Sequence, residues 1–505
     1  MACFLVPGTL TAAPGTLDPT FSGDGKLIDW AGYATGVAIQ TDGRIVVVGT
    51  DADESGFSVA RYNPDGSPDT EFGGGDGKVT TDIGFSHEGA NAVVLQSDGK
   101  IVAVGTTWDG SGSQWGHFSL VRYNPDGSLD LTFGGGDGIV VTENLGTGWV
   151  AANSVAIQAD GKIVVAGRTD YYFYDFPELT VIRYNADGSH DLAFGNKGEA
   201  RITWGQSPFG GIAPAVEDVT SVAIQPDGKI IGAGYSYGWW DFAAIFRLNS
   251  NGSIDPTFGG GDGVTFTDIG PGADVANWVA IQSDGKIVTA GSSYNGLYND
   301  VALVRYTSGG SADTTFGSEG KVVTTIGPGN GVARTVALQP DGKIVTSGFG
   351  YRSMGADSDF ALIRYNSDGT LDTTFGDTGK TFVDFDNSND FGHAMVFDNE
   401  VRAVVVGRSN DRFAIARFLL APDGSISGRV ITPSGVGLRN ALVTLIDTSG
   451  NKRTVTTSTL GFYSFTGISM GQTVTITAMS RRYRFEPVTR TMNENLSEVD
   501  LVGLE

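Results

Sequence analysis

Asp65, Asp69 and Asp76 fall within a window of twelve residues, close enough for hard carboxylate oxygens to take Ca2+. The ordered D-x-D-x-D-G loop is absent, however, and so is the Gly-Gly-x-Gly-x-Asp nonapeptide repeat. Asp65 and Asp76 each precede a glycine, and a simpler role suffices for such pairs. Glycine takes the positive φ that a tight turn needs, while the aspartate before it bonds its own backbone. Structural turns and no cofactor are therefore expected, with calcium as the alternative. Nucleophilic catalysis has less to draw on. His87, His117, His190 and His393 are the only imidazoles; they occupy unrelated positions, and no triad is recognised. His117 falls in an aromatic-rich connection, where a surface position is expected. The 57 carboxylates guarantee chance pairs of the kind a glycosidase uses, but no spacing singles one out.

Aromatic residues are the other concentration of chemistry. Trp108, Trp115, Trp149, Tyr171, Tyr172, Tyr174, Trp204, Tyr237, Trp239 and Trp240 are the candidate ligand-binding set, in segments such as "TTWDGSGSQWGH", "RTDYYFYDFPEL" and "YSYGWWD". Tyr235, Tyr294, Tyr298 and Tyr351 join them. All eight tryptophans, Trp30 and Trp278 included, are placed in or at the edge of variable connections and outside strand centres. Flat amphipathic rings suit sugar faces and protein hot spots alike. Anchoring of long loops is the competing role, and it is the one expected of Trp278.

A repeat must position these residues. "VLQSDGKIVAVG" returns as "AIQADGKIVVAG" and "ALQPDGKIVTSG", with turn aspartates at 42, 98, 160, 227, 284 and 341 and a decayed seventh turn at Asp398. A second element follows each hairpin, as in "LVRYNPDGSLDLTFGGGDGIVVT". The seventh unit stops after "IARFLLAPDGSISG", and its missing half stands at the other end of the chain as "TLDPTFSGDGKLIDW". Four β-patterned runs per unit, separated by turn signals, give an all-β fold: a seven-bladed β-propeller closed by the N-terminal strand. The phenylalanines of "TFG" and its variants, Phe72, Phe133, Phe194, Phe258, Phe316 and Phe375, are expected to pack between blades. Both Asp-Gly turns of each unit then lie on one face and all length variation on the other, where binding usually resides.

"QxDGKIVxxG" with "RYNxDGSLDxTFGxxGKV" resembles the delta-60 repeat of bacterial secreted proteins over about Gly15 to Phe418. The resemblance implies a propeller and carries over no catalytic residue. Residues 1–14 read as a disordered start or the remnant of a signal peptide, residues 15–423 as the propeller, and 424–505 as a second domain. From Ser425 onward eight basic residues face six acids, so this piece is about +2 within a chain of net charge −24. Its runs "SGRVITPSGVGLRNALVTLIDTSG" and "TSTLGFYSFTGISMGQTVTITA" resemble the carboxypeptidase regulatory-like domain, which implies a transthyretin-type β-sandwich with a carbohydrate-binding-like fold. Related pilin-type domains carry a Lys–Asn crosslink; Arg429 stands at the place expected for that lysine, so no crosslink is expected.

A surface this acidic repels phosphate backbones, which makes nucleic acid an unsuited partner. Cys3 is the single cysteine, which removes a disulfide framework or a cysteine-rich zinc site. No apolar run is long enough to span a membrane as a helix. The expectation is a monomeric, non-enzymatic exported or cell-surface protein whose aromatic face binds a glycan or an extracellular protein. A polysaccharide hydrolase or lyase on the same face and a purely structural scaffold are the alternatives.

Overall fold

The computed structural model describes residues 13–504 apart from 109–115, 144, 146–149, 170–177, 203–214, 238–240, 354, 422, 449, 451, 470–471 and 493–495. No helix occurs among the described residues. Two compact units form: Pro19–Val396 with Val404–Arg417, and Phe418–Glu505 with Phe397–Ala403 and the chain up to Asp18.

In the larger unit the second and third runs of each repeat are mostly apolar and buried on both faces, as in Ile163–Thr169 and Phe57–Tyr62. The first run, as in Val150–Ile157, alternates buried with half-buried residues, the pattern of a strand with one wet face. Five sheets hold four consecutive strands in chain order (87–142, 150–202, 215–267, 274–324 and 332–383), the blades of a β-propeller. A seven-stranded sheet runs Asp390–Phe397, Ala403–Ser409, Arg412–Phe418, Lys26–Ile39, Ile45–Asp51, Phe57–Tyr62, Lys78–Thr81. The long strand Lys26–Ile39 serves both halves of it. Lys26, Leu27 and Ile28 pair antiparallel with Ala416, Ile415 and Ala414, whereas Gly32 to Ile39 pair with Asp51 to Ile45.

First strands of successive blades touch one another, which places them at the inner edge. Apolar clusters fill the spaces between blades: Phe133 and Ile182 share one with Val102 and Leu120.

Two tryptophans depart from expectation. Trp278 lies within the strand Asp274–Ile281, next to its bulge, and packs against a cluster that contains Val288 and Leu303. Trp30 lies inside Lys26–Ile39 and packs on Phe413, ring centroids 5.7 Å apart. Trp278 pairs with Ala290 in the ladder, whereas Trp30 sits in the irregularity between Ile28 and Ala31 of a strand that runs on to Ile39.

The smaller unit has its own core. Sheets Lys452–Thr456, Leu442–Asp447, Thr473–Met479, Val488–Thr491 and Phe462–Ser469, Asp423–Ile431, Leu501–Val502 enclose Ile426, Val443, Phe465, Val474 and Ile476. Arg429 stacks 5.0 Å from Phe462 and donates to the Leu460 carbonyl.

Candidate functional site

The repeat builds a charge-centred latch that the motif reading passed over. Arg247 donates from Nε to Asp255 at 2.7 Å, from its other nitrogens to Thr257 and, across to the next blade, to the Ser308 carbonyl at 2.7 Å. Its guanidinium stacks 4.6 Å from Phe258. Lys229, which follows the first Asp-Gly turn, reaches the same carboxylate at 2.8 Å. The pattern recurs at Arg61–Asp69, Arg122–Asp130, Arg183–Asp191, Arg305–Asp313 and Arg364–Asp372. Arg61, Arg122 and Arg183 also donate to the carbonyls of Pro125, Ala186 and Ser250 in the following blade.

The "TFG" phenylalanines complete the latch and are fully buried, as expected. Phe72 lies under the turn of the next blade, where a Cβ on Gly127 would come within 2.9 Å of its ring. That glycine sits at φ +87°, so both the turn and the ring require it. The turn aspartates behave as local staples: Asp42, Asp98 and Asp227 each accept the backbone N–H two residues on. Asp65, Asp69 and Asp76 do not converge. Asp65 takes Ser67, Asp69 takes Arg61 and Arg44, and Asp76 takes the Lys78 N–H.

These partners set a pH dependence. Burial alone would raise the Asp255 carboxyl, but the Lys229 ammonium, Thr257 and Arg247 outweigh it and hold the group well below the usual carboxylate range. Asp69, Asp130, Asp191, Asp313 and Asp372 are lowered in the same way. A carboxyl whose folded pKa is depressed contributes stability above its unfolded value, about 3.9, and loses it as pH falls toward the folded value. The urea midpoint is therefore expected to hold between about pH 5 and 7 and to fall steeply below about pH 4. Asp255→Asn should flatten that fall; an unchanged slope would remove the latch from the acid response.

The connections on the other face hold a different set of acids. Glu88, Asp274 and Asp390 are fully buried and accept backbone N–H groups of the loop before them, from Ile83 and Phe85, from Ile269, and from Phe385. Burial pushes all three carboxyls up. Asp359, Asp384 and Asp390 are the one group of acids among the described residues whose oxygens converge, within 4.8 Å. Arg352 pairs with Asp359 at 2.6 Å, Asp384 takes the Asn387 N–H, and Asp390 takes Phe385 and Ser388. The group therefore closes loops.

The imidazoles stay apart. His117 is buried in the strand Gly116–Tyr123, 5.1 Å from the Phe85 ring, and not at the surface. The apolar run "FSLVRY" extends back far enough to take it into the sheet. His190 meets Tyr184 edge-on, and His87 meets Glu54.

Of the aromatic candidates, Trp115, Trp149, Tyr171, Tyr172, Tyr174, Trp204, Trp239 and Trp240 lie outside the described residues. Tyr237 ends the strand Ile230–Tyr237. Trp108 ends Ile101–Trp108, half-buried, its carbonyl accepting from Ser86. The described part of this face offers an aromatic slot instead: Tyr298 and Tyr351 line a cavity of about 290 Å3 with Pro328 and Asn330. Arg334 and Arg408 stand nearer the inner edge, over Phe349 and Phe391.

A family model described as a β-propeller domain of unknown function (DUF5122) matches residues 40–72, 96–133, 158–194, 225–258, 282–316 and 339–375. Each segment runs from the glutamine before the first turn to the phenylalanine that docks in the next blade. The similarity thus covers the latch and leaves out the variable connections from the fourth strand to the next blade. No curated protein matches the chain. Among solved structures, a gluconolactonase from Xanthomonas campestris shares 12% identity over 82% of this chain and 100% of its own, with a TM-score of 0.33. Sqt1 of Chaetomium thermophilum, bound to the N-terminus of ribosomal protein L10, shares 11% over 77% and 97% with a TM-score of 0.42. An ulvan lyase of polysaccharide lyase family PL25 shares 12% over 81% and 93% with a TM-score of 0.43. None of the three bears on activity at these scores. The chain is a β-propeller protein whose activity the comparisons leave open.

Proposed function

We propose that the chain is a seven-bladed β-propeller closed by its own N-terminal strand, followed by a carboxypeptidase regulatory-like β-sandwich over residues 424–505. It works as a non-enzymatic exported or cell-surface protein that binds glycan or protein ligands on the variable face. Closure is supported by Lys26–Ile28 pairing with Ala414–Ala416 and by Tyr62, whose hydroxyl donates to Asp29 at 3.0 Å. Tyr123 and Tyr184 make the equivalent bond to Thr81 and Thr142, fourth-strand residues of the blade before. Asp29 thus fills a fourth-strand position.

The carrying observation is the contrast between the two faces. On the Asp-Gly face the repeated charges are spent on one another in the latch, whereas the variable face presents the Tyr298–Tyr351 slot, with Tyr298 38% exposed. Rings held open in this way offer contact area to a sugar or a partner side chain.

A glycan-array screen of the intact protein, followed by calorimetric titration of the hits, tests this reading. Tyr298→Ala with Tyr351→Ala should weaken binding about tenfold or more and leave the melting temperature in place. Loss of the tryptophan fluorescence response in Trp239→Ala with Trp240→Ala would extend the site to those residues. No glycan bound, or unchanged binding in both double variants, would remove the carbohydrate reading.

A further inference from the structure

Arginine is used in two ways in this chain. In six blades it is neutralised by an aspartate of its own hairpin. Arg334 and Arg408 are not: among the described residues neither makes an ion pair or donates a hydrogen bond. Arg334 is exposed and Arg408 half-buried, so both guanidinium forks stay open to an anionic group from outside.

Position sharpens the contrast. Thr35, Asn91, Asn153, Thr220 and Asn277 hold one equivalent place in successive first strands. Each donates to a carbonyl of the next first strand, those of Ala90, Ala152, Val219, Ala276 and Ala333. His393 holds the same place in the last unit, its Nδ1 3.1 Å from the Ala34 carbonyl. Arg334 is the exception in this tier; it makes no such bond and is exposed.

Aromatic rings join the two arginines into one wall. Arg334 stands 5.9 Å from Phe349, Phe349 meets Phe391 edge-on at 4.9 Å, and Arg408 lies between Phe391 at 4.7 Å and Tyr33 at 5.0 Å. Burial, with Arg334 and Arg408 adding to it, pushes the nearby His393 imidazole down to about 4. Both guanidinium groups thus act on one imidazole, within a chain of net charge −24.

Arg408 and Phe391 also line a cavity of about 510 Å3 together with Asn387, Asn389 and Asn410. The connection above it is only Asn410 and Asp411, both at positive φ (47° and 54°), the two-residue turn that leaves a hairpin end uncovered. The side-chain amides of Asn387 and Asn410 have no protein partner among the described residues. Asn389 spends its oxygen on Ser358 and keeps its NH2. Asp357 and Asp411 complete the lining with acceptors.

We propose that this cavity binds a sugar residue that carries one carboxylate, a uronate. Arg408 supplies the planar fork that matches a carboxylate, Arg334 adds positive field, and the amides and acids take ring hydroxyls. A uronate brings one carboxylate per residue on a hydroxyl-rich ring, which matches one open guanidinium fork among amides and acids. This rests on the variable-face reading above and deepens it by naming the charge of the ligand.

Calorimetry with trigalacturonate, its methyl ester and free galacturonate tests it. The acid trimer should bind, the ester about 10- to 100-fold more weakly, and Arg408→Gln should lose a similar factor for the acid. Rising salt should weaken the acid form alone. Should Arg408→Gln not fold, Arg408→Lys keeps the charge and removes the fork, with loss of affinity again expected. A trimer that binds more tightly than the monomer assigns the site to polysaccharide; equal affinities assign it to free sugar acids, and both support the uronate site. Equal binding of acid and ester, an unaffected Arg408 variant, or no uronate binding at all overturns it. Neutral glycans that still bind through Tyr298 and Tyr351 in that case would leave the wider reading standing.

Discussion

A chain that starts at Gly32 should fail to reach a cooperative native state. The lost segment supplies the ladder from Lys26 to Ala31 against Ala416 to Arg412, and with it Phe21, Leu27 and Trp30 from a cluster that contains Val404, Val406, Phe413 and Ile415. Full burial of a large apolar side chain contributes about 1.5–3 kcal/mol, so Phe21 with the half-buried Leu27 and Trp30 amounts to a large part of the 5–15 kcal/mol by which a typical domain is stable. The truncation also strands polar groups. Tyr62 and Lys78 lose Asp29, Asp65 loses the Ser22 N–H, and Arg417 loses the ring of Phe21. The strand Arg412–Phe418 becomes a bare edge, which invites pairing with other chains. Circular dichroism melts and size-exclusion profiles check this: loss of the sharp transition and growth of aggregates are expected. Rescue by a peptide of residues 13–31 added in trans would tie the defect to the missing strand. A truncated chain that melts within a few degrees of the full one would end the closure reading.

Arg247→Ala should be the most damaging single substitution in a blade, at about 3–5 kcal/mol. The side chains of Arg247 and Asp255 are 9% and 3% exposed, so the variant leaves a carboxylate inside with only Lys229 to answer it. It also removes the bond to the Ser308 carbonyl and the stack on Phe258, so two blades loosen together. Lys229→Ala, at a side chain that is 28% exposed, should cost about 1 kcal/mol or less. Arg247→Ala combined with Asp255→Ala should recover part of the loss, because the unpaired charge goes too. Urea unfolding of the three variants orders them. An Arg247→Ala midpoint equal to that of Lys229→Ala would show that the latch is incidental.

Most of the blade architecture is legible in the residues because its determinants are local. Asp-Gly pairs set turns through one side chain and one φ, and apolar runs such as "KIVVAG" bury both faces of a strand wherever they stand. The latch was equally visible in principle. Arg61 and Asp69, Arg122 and Asp130, and the four pairs after them are all spaced by eight residues, yet charges in a polar turn read as solvated until the hairpin brings them face to face. Trp30 and Trp278 misled because an aromatic ring beside a variable segment looks like a loop residue, although the strand runs on through it. Arg334 and Arg408 are harder still. Arg334 stands out only once the strand bulges are known and Thr35, Asn91 and their equivalents are set in one tier, and the pair is joined only by rings from three different strands.

The antiparallel pairing of Lys26–Ile28 with Ala414–Ala416 has a mechanical side. Lys26 faces Ala416, and before them Leu17 faces Phe418 and Gly15 bonds Leu419, so the chain enters and leaves the join at the same end. A pulling force applied on either side of it would load these bonds one after another, in peeling geometry, and not all together in shear. This pairing is therefore the point at which tension along the chain would part the seven-stranded sheet first.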